Sequence, residues 1–409
     1  MKALGDNEIY KLFKNGLEKY ELNNKKILLI TPDNTRSGPH YLFVKYILEI
    51  LKSKVRKIDI LLALGTHPLM SEEEIKNFFK INNKNILSLF KNVNIYNHNW
   101  KTKKKFKKIG YFSKEEIFKL TNGLFEEEVI IEVNRLIFEY DKIIILSPVF
   151  PHEVVGFSGG AKYFFPGISG WKFINFFHWW GALLTNLKIN GQIYTPIRHL
   201  INKASNFIDR EKILIALNLK ENLVYNIFIG DLVKEWEKAA VESSKINIIY
   251  ENKQYKKVLS IPKKIYTDLW TAAKAMYKLE SIVEDGGELI IYAPQIKNIS
   301  YTHEKYLKKI GYHIKEYFLS NFKKFKNIPR AVLAHSTHLK GIGKMINNIE
   351  IPRIKVTLAT SISKEICKKI NLDYIDYNLI KIDEWENREN EGIKVVHNAG
   401  EELYKFKYI

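Results

Sequence analysis

The chain holds a single cysteine, Cys367, in 409 residues. That excludes an intrachain disulfide framework and a cysteine-built zinc or iron–sulfur centre, and it suits a reducing compartment. No run of about 18 uninterrupted apolar residues occurs, so no membrane-spanning helix is expected. The opening stretch MKALGDNEIYKLFKNGLEKY lacks the apolar core of a secretory signal, and the expected location is cytoplasmic. No internal repeat or low-complexity tract stands out. In the block 151–180 there is neither a His-x-x-x-His pair nor a cysteine pair, so a tetrahedral metal site made of protein ligands alone is not expected there.

What is present is a large apolar and aromatic fraction, 46% and 13%, with a net charge of +20. A chain of this length is expected to form two domains. The positive balance attracts anions of any kind, from nucleic acid to membrane surfaces to small acids. Lysines here are scattered among Asn and Ile, with no arginine-rich block. The densest run, Lys101–Lys108, reads as a solvated loop. Neither nucleic acid nor membrane is the expected partner; a small anionic substrate, or lysine-rich composition bias alone, accounts for the charge.

Short apolar runs alternate with helical patterns. Lys26–Thr31, Lys57–Leu64, Val93–Asn97 and Lys142–Leu146 read as strands, while Tyr41–Leu51 and Ser71–Phe79 read as helices, the latter opened by Ser71 and glutamates. Glu126–Phe138 matches neither period. A second series follows: strands at Lys257–Ile261, Gly287–Ala293, Ala331–Ala334 and Ile354–Ala359, and a helix over Leu269–Leu279. The rhythm predicts an α/β fold of two domains, with parallel or mixed sheets flanked by helices; an active site in the cleft between them is expected from the family resemblance given below. The expected division is 1–252 for the first domain and 253–393 for the second, with 394–409 a tail returning to the first.

Open α/β sheets bind ligands beyond the carboxyl ends of their strands. Four such places carry reactive side chains. Asp33-Asn34-Thr35-Arg36-Ser37-Gly38 offers groups for a phosphate or carboxylate, or is an Asx turn with a surface arginine. Gly65-Thr66-His67 places an imidazole at a strand end, as a base or as an exposed loop histidine. After Lys142–Leu146 come His152, the turn Ser158-Gly159-Gly160 and Lys162. That turn can cradle a phosphate if a helix begins at Ala161, with Lys162 in its first turn; otherwise it is a structural glycine turn. His178 sits in the aromatic run Phe173–Trp180, as a core histidine or a metal ligand. Further along, Trp270 and Lys274 share a helical face at i,i+4 spacing, and His335-Ser336-Thr337-His338 follows an expected strand.

Taken together these motifs resemble the lactate racemase family that uses a nickel-pincer nucleotide. Its Asp-x-Thr-Arg segment is matched by Asp33, Thr35 and Arg36, and its Gly-Thr-His loop by Gly65, Thr66 and His67. Its His-x-x-x-Gly-Phe-Ser-Gly-Gly-x-Lys block is matched by His152, Gly156, Phe157, Ser158, Gly159, Gly160 and Lys162, with His178 sixteen residues beyond the lysine. The resemblance implies an isomerase, a racemase or epimerase that inverts C2 of a 2-hydroxy acid by reversible hydride transfer. It implies a pyridinium-3-thioamide-5-thiocarboxylic acid mononucleotide carrying Ni(II), installed by accessory maturation proteins. Lys162 would be the covalent tether and His178 the nickel ligand. Asp33, Thr35, Arg36, Ser158, Gly159 and Gly160 would contact the cofactor or its phosphate. His67 and His152 would be the acid/base pair, and Arg36 and Lys274 would hold the substrate's charge.

One departure concerns substrate. Lactate racemases carry Tyr-Gln-x-x-Lys where this chain has Trp270-Thr271-Ala272-Ala273-Lys274. With Trp270, Thr271, Lys274, His335 and His338 as substrate contacts, a sugar acid such as D-gluconate is the expected substrate, and lactate or another short 2-hydroxy acid the alternative. Two readings of other classes are a non-catalytic nucleotide- or anion-binding module and a basic nucleic-acid-binding protein. The presence of His67, His152, Lys162, His178 and Lys274 together argues against lost chemistry.

Overall fold

The computed structural model describes residues 2–82 and 84–407. The chain is α/β and divides into two compact units. The first comprises Met1–Phe150, Phe157–Ile174 and Ile193–Ile246; the second comprises Pro151–Gly156, Asn175–Gln192 and Asn247–Ile409. The main change of unit thus falls at Ile246/Asn247 rather than at 252, and two short segments of the N-terminal half, bearing His152 and His178, group with the C-terminal half. No described helix is long and apolar enough to cross a membrane.

The first unit is built on a six-stranded sheet. In spatial order its strands are Leu223–Gly230, Glu211–Lys220, Lys142–Pro148, Lys26–Thr31, Lys57–Leu62 and Ile95–Asn97. All neighbours are parallel except the antiparallel edge strand Leu223–Gly230. The central strands are buried from end to end, which is why KILLIT and KIIILSP read as unbroken apolar runs rather than alternating ones. One face of the sheet, through Ile27, Leu29, Ile60 and Ile144, packs on Phe43 and Ile47 of the helix His40–Leu51. The helix Glu72–Phe78 starts at a capping box: Ser71 Oγ accepts from Glu74 N–H at 3.2 Å, and Glu74 Oε2 accepts from Ser71 N–H at 2.7 Å.

From Lys26–Thr31 the chain winds outward to one edge, and from Lys142–Pro148 to the other. These two strands are neighbours, so the sheet changes direction between them. A crevice at such a switch point is the usual ligand position of an open α/β sheet.

The second unit has a five-stranded, wholly parallel sheet in the order Asp373–Tyr374, Lys355–Thr360, Val283–Ala293, Tyr255–Pro262, Ile393–Ala399. Of the expected tail 394–409, most of the first part is that edge strand. Leu403–Phe406 pairs in parallel with Ile248–Glu251 of the same unit. Residues 408 and 409 lie outside the described residues.

Four local expectations are corrected. Ala331–Ala334 is not a strand but part of the helix Arg330–Lys340, whose residues from Ala331 onward are all buried. A helix buried on every side shows no 3.6-residue pattern, and a four-residue apolar run cannot then be told from a strand. Lys101–Lys108 is not wholly a loop: Phe106–Phe112 is a strand of an antiparallel ribbon with Val129–Asn134, the stretch whose period was unreadable. The helix over Leu269–Leu279 is two four-residue turns, Leu269–Ala272 and Lys274–Tyr277, joined at Ala273. Finally, the segment after Gly159 is a four-residue three-ten turn, Gly160–Tyr163, so Lys162 does not occupy the first turn of an α-helix.

Candidate active site

In the first unit, three strand-end loops meet. The loop after Lys26–Thr31 carries Asp33, Thr35 and Arg36, and the loop after Lys57–Leu62 carries His67. Gly65 takes the left-handed φ of +56° that this turn needs, and its N–H donates to Gly167 O at 2.9 Å, which ties the loop to the third segment. The carboxylate of Asp33 is buried. Its Oδ1 accepts from the Thr35 hydroxyl at 2.6 Å and from Thr35 N–H at 3.1 Å, and its Oδ2 lies 2.5 Å from His67 Nδ1.

Burial alone would raise the Asp33 pKa. The facing His67 charge and hydrogen bond, the Thr35 hydroxyl and the Arg36 charge outweigh it and hold the carboxyl well below the usual carboxylate range. With Nδ1 turned to a carboxylate, His67 presents Nε2 as its working nitrogen. Asp33 therefore orients the His67 imidazole, a part not expected of it from the sequence. A buried carboxylate whose oxygens face Thr35 and His67 is also a poor contact for a phosphate of the same charge. Beside it lies Tyr163, buried, its phenol pushed up by burial and touched by the charges of Arg36 and Asp33.

The turn Ser158-Gly159-Gly160 is braced from behind and not open in front. Ser158 Oγ accepts from Phe150 N–H at 2.9 Å and donates to Pro148 O at 3.2 Å, while Ser158 N–H donates to Phe150 O at 2.7 Å. Gly160 N–H donates to Ser147 Oγ at 2.9 Å. The buried guanidinium of Arg198 donates to the carbonyls of Gly159 (3.1 Å) and Phe157, and stacks on Trp236 with its carbon 3.8 Å from the ring centroid. Trp236 Nε1–H donates to Ser158 O at 2.8 Å. Gly159, at φ +85°, leaves no room for a Cβ, which would come within 2.7 Å of Ser147 Oγ. The Ser158 hydroxyl and the Ser158 and Gly160 N–H groups expected to cradle a phosphate are thus already bonded within the protein. This turn sets the position of Lys162, which is half-buried just after it. Ser147, Arg198 and Trp236 were not singled out in the sequence, because their contact with residues 157–160 is made only by the fold.

In the second unit, His152 is buried. Its Nδ1 accepts from Val154 N–H at 3.1 Å, and Glu153 Oε2 stands 3.2 Å from the same atom. His178 is half-buried, edge-on to Phe177 at 5.0 Å, on the helix Trp171–Leu184. Its charge is felt by His335. Trp270 and His335 are stacked, centroids 3.8 Å apart and planes 7° from parallel, with the His303 ring 4.5 Å from the indole. His335 Nε2–H donates to Trp270 O at 3.0 Å, and its buried Nδ1 has no hydrogen-bond partner among the described residues. Burial pushes the His335 imidazole down to about 3, although the Trp270 carbonyl opposes it.

Other expected contacts are turned inward. Thr271 Oγ1 donates to Asp268 Oδ1 at 2.7 Å as part of a helix cap. Ser336 Oγ donates to Gly311 O at 2.9 Å, and Thr337 Oγ1 donates to Ala334 O at 2.8 Å. Lys274 Nζ lies 4.6 Å from the Tyr266 ring centroid. His338 is buried with Nε2 unpartnered, and lines a cavity of about 10 Å³ with Glu280, Asn186 and Lys315, enough for one water. Among the described residues, no group of three His, Cys, Asp or Glu side chains is placed to hold a metal ion.

Residues 11–186 match the model of the lactate racemase N-terminal domain. A lactate racemase from Thermoanaerobacterium thermosaccharolyticum is 28% identical over 147 residues, 36% of this chain and 30% of that enzyme, so the match spans under a third of the racemase. A crystal structure of a Thermotoga maritima protein superposes with a TM-score of 0.91 at 29% identity, over 100% of this chain and 99% of the other. Over residues 11–186 the chain is similar to the lactate racemase family. The lactate racemase apoprotein of T. thermosaccharolyticum shares its fold, with a TM-score of 0.73 at 19% identity, over 98% of this chain and 93% of that one.

Proposed function

We propose that this lactate racemase-like chain is a racemase or epimerase of 2-hydroxy acids that works with a nickel-pincer nucleotide. The observation that carries the reading is the Asp33–His67 dyad: an imidazole oriented by a buried carboxylate, 2.5 Å from it, at the strand ends of an open α/β sheet. The residues present fit the cofactor in part. A metal at His178 would need its remaining donors from a cofactor, since among the described residues no three-residue protein cluster is placed to bind one. A single imidazole donor suits a nucleotide that brings its own sulfur and carbon ligands. Lys162 is a half-buried lysine just after a rigid turn. Ser158–Gly160 do not fit as the phosphate contact, for the reasons given above, and are not assigned to it.

In this reading Lys162 tethers the nucleotide and His178 ligates its nickel; bound there, such a group supplies reversible hydride acceptance. The chain's own residues do the rest. His67, through Nε2, takes or returns the proton of the C2 hydroxyl, and His152 does so for the other enantiomer. Arg36 and Lys274 hold the carboxylate and the developing oxyanion. Trp270 and His335 are assigned to the substrate's far end. With Thr271, Ser336 and Thr337 turned inward, the case for a sugar acid rests on the unpartnered nitrogens of His335 and His338.

The test is holoenzyme made in a host that matures the cofactor, with its mass increment located on Lys162 and nickel quantified. It is then incubated with D-gluconate and with L-lactate, and C2 inversion is followed by chiral chromatography. Inversion of gluconate is expected. Inversion of lactate alone would overturn the sugar-acid assignment, and a loaded enzyme that inverts no 2-hydroxy acid would overturn the reading itself.

A further inference from the structure

His152 Nδ1 has two neighbours that ask opposite things of it. Val154 N–H, 3.1 Å away, is a donor and needs a bare lone pair on Nδ1. Glu153 Oε2, 3.2 Å away, is an acceptor and needs Nδ1 to carry a proton. An imidazole that satisfies Val154 keeps its proton on Nε2 and can only act as an acid there. One that satisfies Glu153 has its lone pair on Nε2 and can act as a base. A group serving a reversible reaction must do both in turn. The side chains of both residues are largely shielded, 9% exposed for His152 and 16% for Glu153, so water does not level the choice.

We propose that Glu153 is the positioning residue of His152, drawing the ring proton to Nδ1 so that the lone pair that takes a proton is on Nε2. His67 has the same arrangement in tighter form, with Asp33 Oδ2 at 2.5 Å from Nδ1. Each of the two histidines thus has a carboxylate on its inner nitrogen, and only His152 also has a competing backbone donor. The other titratable group that senses Glu153 is His338, whose burial lowers its pKa against the pull of the Glu153 charge. The inference rests on the proposed acid/base role of His152 for its use, but the proton's position is measurable without turnover.

The experiment is ¹⁵N NMR of ring-labelled histidine in the full chain at a pH where His152 is neutral, comparing wild type with Glu153→Ala, Glu153→Gln and His338→Gln. In wild type the Nδ1-protonated tautomer of His152 should be populated. In Glu153→Ala its ratio to the Nε2-protonated form should fall about tenfold, the factor that loss of one hydrogen bond to a charged group is worth. Glu153→Gln, which keeps an acceptor but no charge, should fall between, and His338→Gln should leave the ratio unchanged. An unchanged ratio in a folded Glu153→Ala, or in Glu153→Gln should the alanine variant not fold, would overturn the proposal. So would a ratio that moves as much in His338→Gln. In active holoenzyme, Glu153→Ala should lower kcat in one direction of inversion more than in the other. If the wild type inverts no hydroxy acid, the functional reading fails and the tautomer ratio still decides the role of Glu153.

Discussion

Asp33 Oδ2 and His67 Nδ1 lie 2.5 Å apart, although 34 residues separate them in the chain. The carboxylate is buried and its other oxygen is satisfied by Thr35, so removing its charge leaves the imidazole without its orienting partner. Asp33→Asn should cost about 2 kcal/mol of stability at neutral pH, the worth of a hydrogen bond to a charged group. The sign of the pH dependence follows from the depressed carboxyl. Its contribution is complete above the ordinary carboxylate pKa of about 4 and is lost as pH falls through the lower folded-state value. Thermal melts of wild type and Asp33→Asn should therefore draw together as pH is lowered below about 4. A gap that stays constant from pH 7 to pH 3 would show that the charge is not what matters.

A buried histidine next to this loop acts with the same sign, over a higher pH window. His40 is 1% exposed, its Nε2–H donates to Arg36 O at 3.2 Å, and its Nδ1 has no hydrogen-bond partner among the described residues. Burial outweighs the Arg36 and Ser37 backbone contacts and brings its pKa down to about 4. Between the unfolded value of about 6.5 and the folded one, the unfolded chain binds more protons, so the folded state loses stability as pH drops through that window. The loss reaches about 3 kcal/mol at its lower end. His40→Gln retains a donor for Arg36 O without titrating. Its melting temperature should fall less than that of wild type between pH 7 and pH 4.5, and parallel curves would rule the idea out.

How much of this was legible in the sequence depended on range. The central strands were readable because strands buried on both faces need unbroken apolar runs, and KILLIT and KIIILSP are such runs. Placing Asp33, His67 and Lys162 at strand ends followed from those strands alone. Their mutual geometry did not, because the Asp33–His67 contact spans 34 residues and depends on which strands are neighbours. Ser158 misled for a related reason: a serine before two glycines looks like an anion cradle until Phe150 N–H and Pro148 O are seen to occupy its hydroxyl. The ribbon Phe106–Phe112 was hidden because its lysines are exposed on both sides of Phe106, which masks the strand period.

Arg198 tests the claim that the Ser-Gly-Gly turn is held from behind. Its guanidinium supplies donors to two carbonyls of that turn and a flat face to Trp236. Burial pulls its pKa down to about 9, yet it remains charged at neutral pH. Arg198→Met should cost about 3 kcal/mol, since the carbonyls of Phe157 and Gly159 lose their donor in a dry setting. Arg198→Lys should recover little of it, because an ammonium has neither the forked donors nor the stacking plane. Thermal unfolding measures the cost, and a shift in Trp236 emission should accompany it. A lysine variant as stable as wild type would count against a bracing role.

The stacked pair Trp270 and His335 separates structure from substrate recognition. Phenylalanine at 335 keeps the flat contact, removes the donor to Trp270 O, and also removes a buried acceptor that has no partner. Those two changes oppose each other, so His335→Phe should alter stability by about 1 kcal/mol or less. Trp270→Ala loses the stack and the packing of a half-buried indole, and should cost about 2 kcal/mol or more. If the bare Nδ1 of His335 accepts a hydroxyl beyond C2 of the substrate, His335→Phe should raise the KM for a sugar acid about tenfold, as expected for one lost hydrogen bond. Lactate has no such hydroxyl, and its KM should not move. Equal effects on both substrates would mean that His335 supports the fold of the helix Arg330–Lys340 and does not read the substrate.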